Sequence, residues 1–186
     1  MARLLLAGLM AALLALPAGA TAHASSGRPA KVAARQAALD RLAGRGPVVL
    51  ATAVAERYWN AVPCGGRITV LTNLPVPAGL EPTTDGWVTF DSSLGENDLE
   101  APAGTYTQCT ISLAHWQWPT RRSMLADWNM FCLTVTHEVG HLLGHKHTLT
   151  PGSVMAPVFT SEANVPEVCR ATRALSRPAA VRRKGH

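Results

Sequence analysis

The sequence predicts an α+β domain in which a small sheet precedes two helices, and three observations carry that expectation. Residues 67–72, 87–90 and 107–114 are short runs of alternating, β-branched or aromatic character, as strands are. Residues 123–143 repeat apolar side chains at three- and four-residue steps, as a helix packed along one side does. The chain has 186 residues and no internal repeat, and without an apolar leader it is the length of one domain.

The elements follow in order. Arg3 precedes an apolar run over 4–16, and Ala22, His23 and Ala24 form a small-x-small site before Ser25. This predicts a signal peptide over 1–24 and export from the cell, since the run is shorter than the roughly 20 residues of a spanning helix. No later segment is apolar enough to span either. Residues 25–46, rich in Ala, Arg, Gly and Ser, read as a flexible lead-in or short propeptide with a short helix over 31–42. The folded domain is expected over 47–176, with a helix over 50–60 before the strands. Of these, 107–114 is the best formed and ends at His115 and Trp116.

In the helix over 123–143, Trp128, Cys132, Val135, Val139 and Leu142 form the core stripe. His137 and His141 lie roughly opposite Val139, because two residues advance about 200°. A last helix over 165–175 is marked by Pro166 in its first turn and Pro178 beyond its end. Residues 177–186 form a basic tail, too short to argue nucleic-acid binding, and the net charge of +5 is modest. Four cysteines in an exported chain imply two disulfides, with three pairings open, and no CxxC pair points to metal binding by them.

The segment 137–147 reads HEVGHLLGHKH. His137 and His141 stand one helical turn apart on one face, close enough to share a tetrahedral metal ion, with Glu138 beside them. Gly144 is suited to end the helix and let the chain reverse, which brings His147 back to the ion. On a continuous helix His147 would sit about 240° around the axis and about 9 Å beyond His141. His145 would keep the right face but lie about 12 Å from His137, too far for one ion, and reads as a rim residue. The full pattern HExxHxxGxxH is present, with Met155 eight residues after His147 in the run GSVMAP.

At these residues the chain resembles the metzincin metallopeptidases, and within them the matrixins, peptidase family M10. The resemblance is close over 137–159. Thr148 follows the third histidine, Met155 stands where the Met-turn is expected as an apolar floor beneath the metal, and 155–159 is similar to the matrixin Met-x-Pro-x-Tyr segment with Phe159 in place of tyrosine. The resemblance implies a metzincin-like catalytic domain: a small twisted mixed sheet, an active-site helix and a C-terminal helix. It implies that strand 107–114 is the edge that pairs with extended substrate, with Trp116 and Trp118 either flanking the cleft or packed in the core. It implies that Cys132 on the active-site helix bonds Cys169, which leaves Cys64 for Cys109. A structural second zinc and a DxDxDG-type calcium loop are missing, although Asp91, Glu96, Asp98 and Glu100 could gather around calcium. Cys64 superficially resembles a cysteine-switch but lacks its flanking residues, and a disulfide is the better reading.

The expected activity is that of a secreted, monomeric zinc endopeptidase acting on protein or peptide, with one catalytic ion held by His137, His141 and His147. Three neutral imidazoles leave zinc a fourth position, where water is acidified to a pKa of about 7. Glu138 then takes the water proton and hands it to the leaving amine. Two rivals stand beside this. A gluzincin-type site would use Glu162 or Glu167 as third ligand, against which Gly144 and His147 argue. A secreted protein could also hold peptides in the same groove with little or no turnover.

Overall fold

The computed structural model describes residues 27–92, 95–96, 106–159 and 162–176. The signal peptide, the basic tail, Asp98 and Glu100 lie outside the described residues, as do the side chains of Asp91 and Glu96. The elements run α1 Gly27–Arg45, α2 Pro47–Trp59, β1 Ile68–Leu74, β2 Gly86–Ser92, β3 Gly95–Glu96, β4 Tyr106–Ala114, α3 Arg121–Ala126, α4 Trp128–Leu142 and α5 Glu167–Ser176, with short 3₁₀ turns at Pro63–Gly66 and Glu162–Asn164. This is the α+β class expected, built on a small mixed sheet of order β1-β4-β2-β3.

The segment 25–46 carries a helix longer than expected. Leu39 of α1 is buried, and Leu42 and Ala43 pack beside it against the core, where α1 meets α2 and α5. In α2, Pro47 occupies the first turn, where its missing N–H costs nothing, and Leu50, Ala51, Val54 and Ala55 form the buried stripe. Asn60 ends the helix in a left-handed conformation (φ 50°), with Ala61 N–H donating back to Glu56 O at 3.1 Å.

The sheet corrects one expectation. Strand β4 is not an edge: it pairs parallel with β1 (Val70 opposite Ile111) and antiparallel with β2 (Val88 opposite Ile111). Both of its faces are covered, and residues 111–114 are all buried, as suits an interior strand. The strand with a free edge beside α4 is β2. Its outer side meets β3 only at Asp91 and Ser92, so Gly86 to Phe90 are open on that side among the described residues. The Cys64–Cys109 disulfide joins the turn before β1 to β4, with Cα atoms 6.3 Å apart.

The expected single helix over 123–143 is two helices. Thr120 starts α3 with a capping box to Ser123, and Asp127 (φ −114°, ψ 56°) breaks the run. Asp127 then stands at the N-cap position of α4, its carbonyl accepting from Phe131 N–H at 3.0 Å. Aspartate is poor inside a helix and favoured at an N-terminus, where the helix dipole welcomes its charge. All five residues of the expected core stripe are at most 1% exposed. The helix is nevertheless buried on more than one side, because it lies between the sheet and α2 and α5. The Cys132–Cys169 disulfide pins α5 to it, and Trp128 reinforces that contact by donating its indole N–H to Cys169 O at 2.9 Å.

Candidate metal centre

Helix α4 presents His137 and His141 one turn apart, and its end decides where the third histidine goes. Leu142 is the last residue of α4, Leu143 caps it, and Gly144 turns left-handed (φ 85°). Gly144 N–H donates to His141 O at 2.9 Å and His145 N–H to Gly140 O at 3.0 Å. This pair of reverse bonds is the Schellman ending that glycine permits, and it folds the chain back toward the helix. Downstream, Thr148 N–H donates to Met155 O at 2.9 Å, tying the returning segment to the Met-turn.

The three Nε2 atoms form a near-equilateral triangle. His137 to His141 is 3.0 Å, and His147 is 3.1 Å from each. His145 stays out of it, exposed and stacked on Trp59. Glu167 is engaged with Arg170 at 3.0 Å, and the metal-capable group found among the described residues is His137, His141 and His147, without Glu162 or Glu167.

Backbone carbonyls set the tautomers. His137 Nδ1 lies 2.8 Å from Val154 O and His141 Nδ1 2.9 Å from His145 O, so each Nδ1 is the protonated, donating nitrogen and each Nε2 keeps its lone pair. Burial pushes the His137 imidazole down to about 4 and lowers His141 as well, so both stay neutral at physiological pH. Lone pairs converging at this spacing repel one another unless a cation lies among them. Nitrogens about 2.0–2.1 Å from one tetrahedral ion stand roughly 3.3 Å apart, so the donor set fits zinc.

Glu138, which follows His137 in the chain, is 4% exposed on the side of α4 that faces β2. A Cβ on Gly86 would stand 3.3 Å from both its Cγ and its Oε1, so the glycine lets β2 come down onto the carboxyl. Burial raises the Glu138 pKa to about 8, with the charge of Asp85 adding to it. Asp85, next to Gly86, is itself raised to about 6 by burial and then by Asp127.

Met155, 4% exposed, packs against α4 at Gly140. A Cβ on Gly140 would stand 2.5 Å from its Sδ and 2.7 Å from Trp59 Cζ2, so this glycine is what lets both side chains press against α4. Phe159 stands edge-on to His137, with ring centroids 5.2 Å apart. Trp118 belongs to the core, 1% exposed against Phe131, while Trp116 is 44% exposed and donates to Thr84 O at 3.0 Å. Sequence reasoning missed Trp59, Asp85 and Gly86. Only Trp59 had a signal, an indole at the end of the α2 apolar stripe.

Residues 83–169 match the family model of the matrixins, peptidase family M10. The match takes in β2, β4, α3, α4 and the start of α5 as well as the histidine motif, so the matrixin resemblance extends to β2 and β4 of the sheet, with β1 outside it. No curated protein and no solved structure matches the chain.

Proposed function

We propose that this matrixin-like chain is a secreted zinc endopeptidase in which Glu138 is the general base. The family match and the histidine triad support a zinc metallopeptidase, and two disulfides fit an extracellular protein. Secretion rests further on the leader over 1–24. The observation that carries the reading is the triangle of Nε2 atoms, 3.0–3.1 Å apart, with a buried carboxyl on the residue that follows His137.

His137, His141 and His147 would hold the zinc ion, which would supply Lewis-acid polarisation and a water acidified toward neutral pKa. The chain supplies the rest. Val154 O and His145 O hold two imidazoles in the metal-binding tautomer. The open edge of β2 from Gly86 to Phe90 offers backbone groups to an extended peptide, a general mode of recognition. Gly86 abuts Glu138, so a peptide on that edge lies beside the carboxyl. With a cation held on the histidines to favour its ionised form, Glu138 would accept the proton of the attacking water at its carboxylate and deliver it to the departing amine. Its low exposure keeps bulk water from competing for that proton.

The test combines metal analysis with cleavage of a mixed peptide library by the full chain. One zinc per chain and turnover are expected, and Glu138→Gln retains zinc without turnover. A protein that binds zinc and peptides but cleaves none supports the alternative, a secreted peptide-binding protein of metzincin-like fold.

A further inference from the structure

The last residue of α2 touches the metal site at three points, and the chemistry above gives it no task. The left-handed Asn60 stops α2 directly after Trp59. The Trp59 indole N–H donates to Thr136 O at 2.8 Å, at the residue before His137. Its Cζ2 edge lies against Gly140, the residue before His141. Its ring stacks on His145, with centroids 4.3 Å apart and planes 19° from parallel. His145 is the residue whose carbonyl takes the Nδ1–H of His141 and whose N–H closes the helix end on Gly140 O.

We propose that Trp59 is a positioning residue for the metal-binding histidines: by bracing His145 against α4 it fixes the carbonyl that orients His141 and the turn that returns His147. The proposal rests on the zinc reading above. The physical need is plain, because residues 144–147 are all exposed and no burial holds them in place. The helix-end hydrogen bonds fix the backbone at Gly144, but the direction of the His145 carbonyl depends on how the next residues lie. A stacked ring on a half-buried indole, itself anchored to α4 by a hydrogen bond, selects one arrangement. Aromatic pairs of this kind shift an equilibrium by about two- to tenfold, and groups that orient metal ligands typically alter metal affinity about 10- to 100-fold.

The test measures zinc affinity of the full chain by chelator competition, together with the visible spectrum of the cobalt-substituted protein, which reports ligand geometry. Trp59→Leu and His145→Ala are each expected to weaken zinc about tenfold and to alter the cobalt spectrum, and the double variant is expected to be no worse than the worse single one. His145→Phe, which keeps a flat ring on the indole, should return affinity to within about twofold of wild type. The exposed His145 side chain makes the metal-free melting temperature of His145→Ala a control, expected to fall by no more than the few degrees that loss of the stack costs. If the wild type binds one zinc and His145→Ala binds it as tightly, or if the two losses simply add, the positioning role is overturned while the metal site stands. A wild type that binds no zinc overturns both.

Discussion

Replacing Gly140 by alanine sets two physical effects against each other, and the structure decides the sign. By helix propensity alone, alanine inside α4 should stabilise the fold by about 1 kcal/mol. The added Cβ, however, would stand 2.5 Å from Met155 Sδ and 2.7 Å from Trp59 Cζ2. Ordinary carbon contacts lie at about 3.5–4.0 Å, so both neighbours must retreat by roughly 1 Å. The thioether of Met155 can rotate away. Trp59 has less freedom, being held by its 2.8 Å bond to Thr136 O and by its stack on His145. Overpacking costs about 1–3 kcal/mol, and with two neighbours displaced, one of them pinned, the upper part of that range, about 2–3 kcal/mol, applies; the propensity gain set against it leaves a net loss of about 1–2 kcal/mol. For a domain of this size that is a fall of about 2–8 °C in melting temperature. Thermal and denaturant unfolding of the metal-free protein measure it. A Gly140→Ala variant as stable as the wild type, or more so, refutes the close approach that this argument depends on.

Other outcomes follow from the same geometry. Glu138→Gln keeps the shape of the side chain but cannot take a proton, so turnover should fall about 10²- to 10⁴-fold with zinc still bound; metal-loaded variant with near-normal rate would contradict the mechanism. In the metal-free protein burial pushes Glu138 up to about 8, and a carboxyl raised in the folded state loses the fold stability as pH climbs from about 4.5 to about 8, because the unfolded chain ionises first. At pH 7, about 2.5 pH units above the ordinary value, metal-free Glu138→Gln should therefore be about 3 kcal/mol more stable than wild type, a gain that shrinks toward pH 4.5; equal stability at pH 7 and pH 4.5 denies the burial effect. His147→Ala should lower zinc affinity more than His145→Ala, and the reverse order in a chelator titration would exchange the roles assigned to them. Converting Cys132 and Cys169 to serine should cost about 2–5 kcal/mol in denaturant unfolding, and a loss below 1 kcal/mol would show that the α4–α5 contact does not need its covalent bond.

The site was more legible in the sequence than the sheet was. His137, His141 and His147 are brought together as the spacing implied, because a helical turn and a glycine reversal are local geometry written in a few residues. Met155 and the two disulfides followed from resemblance, and the structure has both Cys64–Cys109 and Cys132–Cys169. Strand order was not legible in the same way. The stretch from Ile111 to Ala114 suits either an edge or an interior strand, and only pairing with β1 shows that Ser112 and Ala114 are covered too. Asp127 could have been read as a break between two helices, but the apolar rhythm on either side of it stays in phase and hides the interruption. Trp59 lies 77 residues before the carbonyl it bonds, and no local pattern reports a contact of that range.

The two disulfides follow one another along the chain rather than interlacing, and this governs what a peptide-bond cut would do to the molecule. Cys64 to Cys109 closes one ring around β1 and β2, and Cys132 to Cys169 closes a second around the histidine motif and the Met-turn. A nick inside either ring leaves all pieces covalently joined. The stretch between the rings has no such protection, and it includes the exposed His115, Trp116, Pro119, Thr120, Arg121 and Arg122. A single cut there would leave the sheet half, with Gly86 and the open edge of β2, joined to the histidine half by noncovalent contacts alone. In the proposed protease, surrounded by its own kind, that connection is the point at which self-digestion would separate the strand that would receive substrate from the helix that would act on it.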